Sequence, residues 1–449
     1  MAEGASPSPQ QLSDPAILLL AANLASIPDL SSLNALVAQY PDVLNLTSML
    51  QVLLKVLPET TLPEDYLGIV YRLSRPESEP LSSYQIPTSY IHEIARLSQK
   101  SIRSKLADFN LELPTSSHED IQQALVQWFF DRARRIEQET GMIELARRLV
   151  LPNQNEFNQD PPFPPSPVTI WGNGVLKVLE RFIFENNDED ELQLSAFENL
   201  DPESAVRLLL SRTTPDTISR TFRELVKPFI TYKHVDQGEN LWATVWEWFL
   251  DRVADGDLSY VANLAQAWNE EDGELVKGFL TTCLAACYLC HKSSSKVRSD
   301  LHRIDNFLSR FSAYFQPGGD IRLTHPETDF LSSELRNSPL TALTISALQF
   351  LNAMIISADI VAQLTSPSLS LKELAIIHEE SAQTQTQLAE RLLRGDPNRP
   401  RRTDEQWKSL RQSLKQLRNQ TGILGKLSEE SLDTMVFVCM LDACGISQT

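Results

Sequence analysis

The run Cys283-Leu-Ala-Ala-Cys287-Tyr-Leu-Cys290-His291 holds the residue types that come nearest to chemistry. Its last five residues fit C-x-x-C-H, the spacing of covalent haem attachment, and three thiols with an imidazole are a conceivable zinc set. Two arguments weigh against both. Haem attachment of that kind belongs outside a reducing cytosol, and the N-terminus MAEGASPSPQQLSD has no basic segment before an apolar core that would direct export. The run also lies in an unbroken helical pattern from Leu275 to His291, in which positions 283, 287 and 290 share a face with Leu280. Cysteines so placed are expected to serve as small core residues.

Other constellations are incomplete. His378-Glu379 begins like H-E-x-x-H, but Ala382 stands where the second ligand is needed. His92-Glu93 and His118-Glu119 also lack that second histidine. Gly172-Asn173-Gly174 has no preceding strand and no third glycine, so it reads as a helix-starting turn and not a dinucleotide loop. There is no Walker lysine loop and no G-x-S-x-G elbow. No catalytic, cofactor-binding or metal-ligating residue is assigned, and neither a cofactor nor a small-molecule substrate is expected.

Charge narrows the partners. With 59 acidic against 40 basic residues the formal charge is -19, which repels nucleic acid and anionic lipid. The basic groups Arg132–Arg135 and Arg399–Arg402 read as solvated helix faces and a loop. Five cysteines, three of them between 283 and 290, do not make a secreted disulfide framework. Leu340–Ala358 has no charged side chain and the length of a bilayer crossing. It also contains Thr341, Thr344, Ser346, Gln349 and Asn352, and runs into Asp359, so a buried helix is expected there and no membrane span.

The elements that position these residues are helices. Asp14-Pro15, Pro28-Asp29, Pro41-Asp42, Pro63-Glu64-Asp65, Asp201-Pro202 and Pro215-Asp216 each put a cap or a first-turn proline before apolar residues at helical spacing. Helices are also read at 89–111, 117–138 (closed by Gly141), 239–254, 257–269, 273–292, 295–315, 338–364, 368–394, 403–420 and 427–444. Trp242, Trp246 and Phe249 form an i, i+4, i+7 core stripe; Trp248 falls off it and is expected to be partly exposed. An apolar run at Met435–Leu441 suggests an exposed face. Period-two alternation is nearly absent, glycines number only 15, and most of the 26 prolines fall between helices. The expected fold is all-α, an irregular α-solenoid of antiparallel helix pairs without a strict repeat. Its expected organisation is a disordered segment 1–13, a helical solenoid 14–151, a Pro-rich loop 152–167, and a continuing solenoid 168–449, shortened at its C-terminus relative to longer relatives.

Three segments carry a family resemblance: Leu53–Thr61 (LLKVLPETT) with Pro63–Tyr66; Phe130–Gly141 (FDRARRIEQETG); and Phe197–Leu200 (FENL) leading into Ala205–Ser211 (AVRLLLS). In type, order and spacing they resemble the secretory-pathway "Sec thirty-nine" domain family, which includes the neuroblastoma-amplified sequence protein, over roughly residues 14–310. The likeness is to the N-terminal half of a filamentous-fungal member, and loop 152–167 looks like a lineage insertion. The resemblance implies a non-enzymatic subunit of the Dsl tethering complex on the cytosolic face of the endoplasmic reticulum (ER). There it would bridge the rod subunit and the N-terminal domain of an ER SNARE, and assist Golgi-to-ER retrograde transport. The motifs are structural and assign no site residue. The residues alone leave two alternatives: a metal- or haem-binding helical protein using Cys283, Cys287, Cys290 and His291, or a different adaptor solenoid.

Overall fold

Caps written into the sequence start the helices. Asp29 accepts from Ser32 N, Ser98 from Ser101 N, Asp272 from Glu274 N and Leu275 N, and Ser294 from Val297 N. Ser370 and Thr403 form full capping boxes with Glu373 and Gln406. Each satisfies amide groups that the first turn otherwise leaves without an acceptor.

The computed structural model describes residues 12–75, 86–112, 121–152, 163–186, 192–237, 240–319, 321, 338–365, 367–394 and 402–444. Among them lie α1 (Asp14–Ser26), α2 (Leu30–Gln39), α3 (Leu46–Lys55), α4 (Pro63–Leu73), α5 (Thr88–Ala95), α6 (Gln99–Asp108), α7 (Ile121–Thr140), α8 (Ile143–Val150), α9 (166–186), α10 (Leu194–Glu198) and α11 (Pro202–Ser211). These are followed by α12 (218–237), α13 (Trp242–Ala254), α14 (Ser259–Gln266), α15 (Gly273–Leu289), α16 (Ser295–Arg310), α17 (Ile345–Leu364), α18 (Leu371–Glu379), α19 (Ala382–Arg394), α20 (Asp404–Asn419) and α21 (Glu429–Cys444). The described residues contain no strand, only an isolated bridge between Gln316 and Thr344. The fold is all-α.

Several boundaries depart from the sequence reading. The helix read at 89–111 is two, α5 and α6, because Ser98 caps a new start. The one read at 368–394 is also two, α18 and α19. Asp42 caps nothing here; Asn45 starts α3 by accepting from Ser48 N. Gly172-Asn173-Gly174 does not begin a helix but sits inside α9, in the π turn Gly172–Leu176. A Cβ at Gly172 would lie 2.4 Å from Val150 Cγ1, and one at Gly174 would lie 2.2 Å from Tyr232 Cβ. The glycines therefore let α9 approach two neighbours closely. Most of the Pro-rich loop 152–167 falls outside the described residues, as do the start of the helix read at 117–138 and, save its last residue, the basic group Arg399–Arg402.

The chain divides into two compact units, Met1–Ala205 with Glu224–Glu239, and Val206–Arg223 with Asn240–Thr449. In the first, α1 packs on α2, α3, α5 and α6; α3 packs on α4 and α7; and α8 packs on α4, α7 and α9. In the second, α13 packs on α14 and α15, α16 on α14, α15 and α17, α18 on α15, α17 and α19, and α21 on α19 and α20. Many helices thus meet their successor or next-but-one neighbour, as stacked helical pairs do, while α1 on α5 and α6, α3 on α7 and α4 on α8 pack across longer separations.

Cations close many helix ends from a distance. Lys55 Nζ donates to Asn110 O after α6 (2.7 Å), and Lys426 Nζ to Glu379 O (2.6 Å) and Glu380 O (2.7 Å) after α18, while Arg418 Nε donates to Leu427 O (2.6 Å) in the turn before α21. Terminal carbonyls are partial negative charges, so basic side chains are drawn to them. α17 is long and apolar enough to cross a membrane, with 44% of its apolar window buried. Its open side carries Gln349, Asn352 and Gln363, while Asp359 faces His302 Nε2 (2.8 Å) and Arg298.

Candidate functional site

The cysteine run turns inward. Cys283, Cys287 and Cys290 are buried, along with Leu280 and Leu284, whereas His291 is exposed on the residue after the helix cap. Burial pushes the Cys283 and Cys287 thiols well above the ordinary thiol range. Cys290 Sγ meets Lys292 O at 3.8 Å. Thiols kept protonated in an apolar core are poor ligands and poor nucleophiles. Among the described residues no group of three His, Cys, Asp or Glu side chains is placed to hold a metal ion.

The three motif segments, far apart in sequence, meet on α7. Arg132 is fully buried and donates through Nη1 to Leu57 O (3.0 Å) and Nη2 to Pro58 O (2.8 Å), with Glu59 at 3.7 Å and the Tyr66 ring centroid at 5.8 Å. Burial raises the Tyr66 phenol, and Arg132 offsets part of that rise. Arg135 pairs with Glu59 (2.6 Å) and donates to Leu54 O (3.1 Å). The Leu53–Thr61 segment is therefore held from α7 by two guanidinium groups. The reading of Arg132–Arg135 as a solvated face is corrected at Arg132, while Arg134 and Arg135 keep partly exposed side chains. Leu125, Phe129, Arg132 and Ile136 share one stripe, and the carbonyls after α3 require a donor within it.

The opposite side of α7 takes the third segment. Arg134 binds Glu198 through both Nε (2.9 Å) and Nη2 (3.1 Å), and Trp171 Nε1 donates to the same carboxylate at 3.0 Å. The Glu198 hydrogen bond raises Arg134 further above its ordinary range. Glu137, also buried, accepts from Leu194 N at 2.9 Å. A cavity of about 430 Å³ opens here beside Tyr232, whose phenol is pushed up to about 12 by burial and by Asp236. These contacts assemble the fold and leave little chemistry over.

The second unit is built on aromatic side chains. Trp268 and Phe279 stack at 4.3 Å, and Phe307, Phe249 and Phe222 extend the cluster. Trp248, expected to be partly exposed, is only 8% exposed and meets Phe249 and Tyr260 edge-on at 5.3 and 5.4 Å. Trp242 is the half-buried one. It stacks on Trp246 at 5.8 Å, beside a groove of about 450 Å³ between α13 and α15. A second groove, about 480 Å³, lies between α20 and α21 over Trp407, Val436, Phe437 and Met440. Phe437 is 56% exposed, as the apolar run there suggested. Arg411 and Asp433 pair beside it at 2.5 Å, holding the Asp433 carboxyl below the ordinary range. Neither groove was legible in the sequence, because each needs two helices set side by side.

The family model described as secretory pathway protein Sec39 matches residues 18–445, well beyond residue 310, where the resemblance was expected to weaken. No curated protein matches the chain.

Proposed function

The chain belongs to the Sec39 family of secretory pathway proteins, and from that premise we propose that it is a non-enzymatic scaffold subunit of an ER-associated vesicle-tethering complex. It works in Golgi-to-ER retrograde transport at the cytosolic face of the ER, held there through its partners. It binds the complex's rod subunit and the N-terminal domain of an ER SNARE at once.

The match along nearly the whole described helical chain carries this reading. The motifs that mark the family support it, since they are spent on joining helices: Arg132, Arg134, Arg135 and Glu137 each tie α7 to another segment. We read the neighbour-on-neighbour packing within each unit as an irregular α-solenoid, whose stacked helices present broad surfaces to other proteins. The test is affinity capture of the full chain from extract, with captured proteins identified by mass spectrometry. Tether subunits with an ER SNARE are the expected catch. Nuclear-transport or proteasome components in their place would favour a different adaptor and refute this one.

A further inference from the structure

The groove between α13 and α15 brings an aromatic floor and an open polar edge together. Trp246 is only 8% exposed and lines the groove, yet its indole N–H has no acceptor among the described residues. A Cβ at position 278 would lie 2.7 Å from Trp246 Nε1, so Gly278 keeps the space over that N–H open. The N–H itself is not closed off and stands open to an acceptor that enters the groove. Trp242, stacked on Trp246 with 18° between the rings, extends the floor as an aromatic shelf. The rim is acidic on balance: Asp272 and Glu274 line it, and Glu271 is exposed next to them in the chain. The lining's cation, Lys277, is already paired with Glu274 at 2.8 Å.

We propose that this groove docks a basic peptide segment of a partner protein, with an Arg or Lys side chain over the Trp242–Trp246 shelf and a backbone carbonyl accepting from Trp246 Nε1. A cation over an indole face is attracted by the ring quadrupole, and guanidinium groups stack on it readily. The acidic rim draws that cation in and rejects an acidic segment. The biological meaning rests on the scaffold reading, but the physical claim is separable from it.

The test uses the full chain with its tryptophan indoles labelled with nitrogen-15, titrated with acetyl-Ala-Arg-Leu-Arg-Ala-amide and with the same peptide carrying Glu for Arg. Trp246→Phe and Trp242→Phe assign the two signals. The Arg peptide is expected to move both indole N–H signals, that of Trp246 downfield, while the Glu peptide moves neither. Gly278→Ala should abolish the response. Trp246→Phe, which keeps a ring but removes the donor, should weaken binding about fivefold, read at Trp242. Glu274→Gln, on the exposed rim, serves as the variant that cannot be dismissed as misfolded and should weaken binding too. Equal responses to the two peptides, or none at either tryptophan up to millimolar peptide, would overturn the proposal. Tether subunits missing from extract captures while the Arg peptide still binds would sink the scaffold reading alone.

Discussion

Arg132 shows what a single residue does here. A guanidinium with no exposure is held by two carbonyls and Glu59, so removing it strands acceptors and a carboxylate at once. Arg132→Met is expected to cost about 3 kcal/mol in urea unfolding, against about 1 kcal/mol or less for Arg135→Ala, whose side chain is 41% exposed. Equal losses would mean that burial of Arg132 has no special weight. The signal for Arg132 was present in the sequence as a charge on an apolar stripe, but its carbonyl partners lie 74 and 75 residues away. The core cysteines were easier, because Leu280, Cys283, Cys287 and Cys290 repeat at helical spacing along one face of an unbroken pattern. They also fix a pH response. Cys283, Cys287 and Tyr288 stay protonated in the fold, whereas an unfolded chain releases those protons from about pH 9 upward. Their contribution is complete below that pH and falls as pH rises beyond it. The melting temperature should therefore drop from pH 9 to 10.5, and less steeply in Cys283→Ala/Cys287→Ala; an unchanged slope would contradict the assignment.

At the scale of elements, helix starts were legible where Asp, Ser or Pro marked them, as at α1, α2, α4 and α11. Helix interiors were not. Nothing local says that Gly172 and Gly174 widen a turn inside α9, since the reason is the proximity of Val150 and Tyr232. Two alanine substitutions separate the cases. Gly174→Ala forces a Cβ into Tyr232 and should destabilise by about 2 kcal/mol. Gly68→Ala, in α4 with nothing within 4 Å of the added carbon, should stabilise by about 0.5–1 kcal/mol through lower chain entropy. Thermal melts of both variants check the pair, and two shifts of the same sign would be inconsistent with this packing. The split of 89–111 into α5 and α6 went unread for a related reason: Ser98 is an ordinary helix residue unless its hydroxyl takes an amide of the next turn.

For the whole molecule, the excess of acid is sharpened by where the bases go. Arg132, Arg310, Arg391, Arg402, Arg418 and Lys426 all give hydrogen bonds to backbone carbonyls, so part of the basic side chains is directed at the fold's own backbone. A surface of that kind suits basic partner segments. The all-α class and the family motifs could be read from the chain, while the grooves and the buried Trp248 depended on contacts between helices. The claim at the centre is that one chain holds two partners together. The most direct measurement is the affinity of the SNARE N-terminal domain for the full chain, free and saturated with the rod subunit, by calorimetry. Binding to both forms within about twofold, with one ternary species on sizing, is the predicted result; displacement of one partner by the other, or binding of only one, would contradict it.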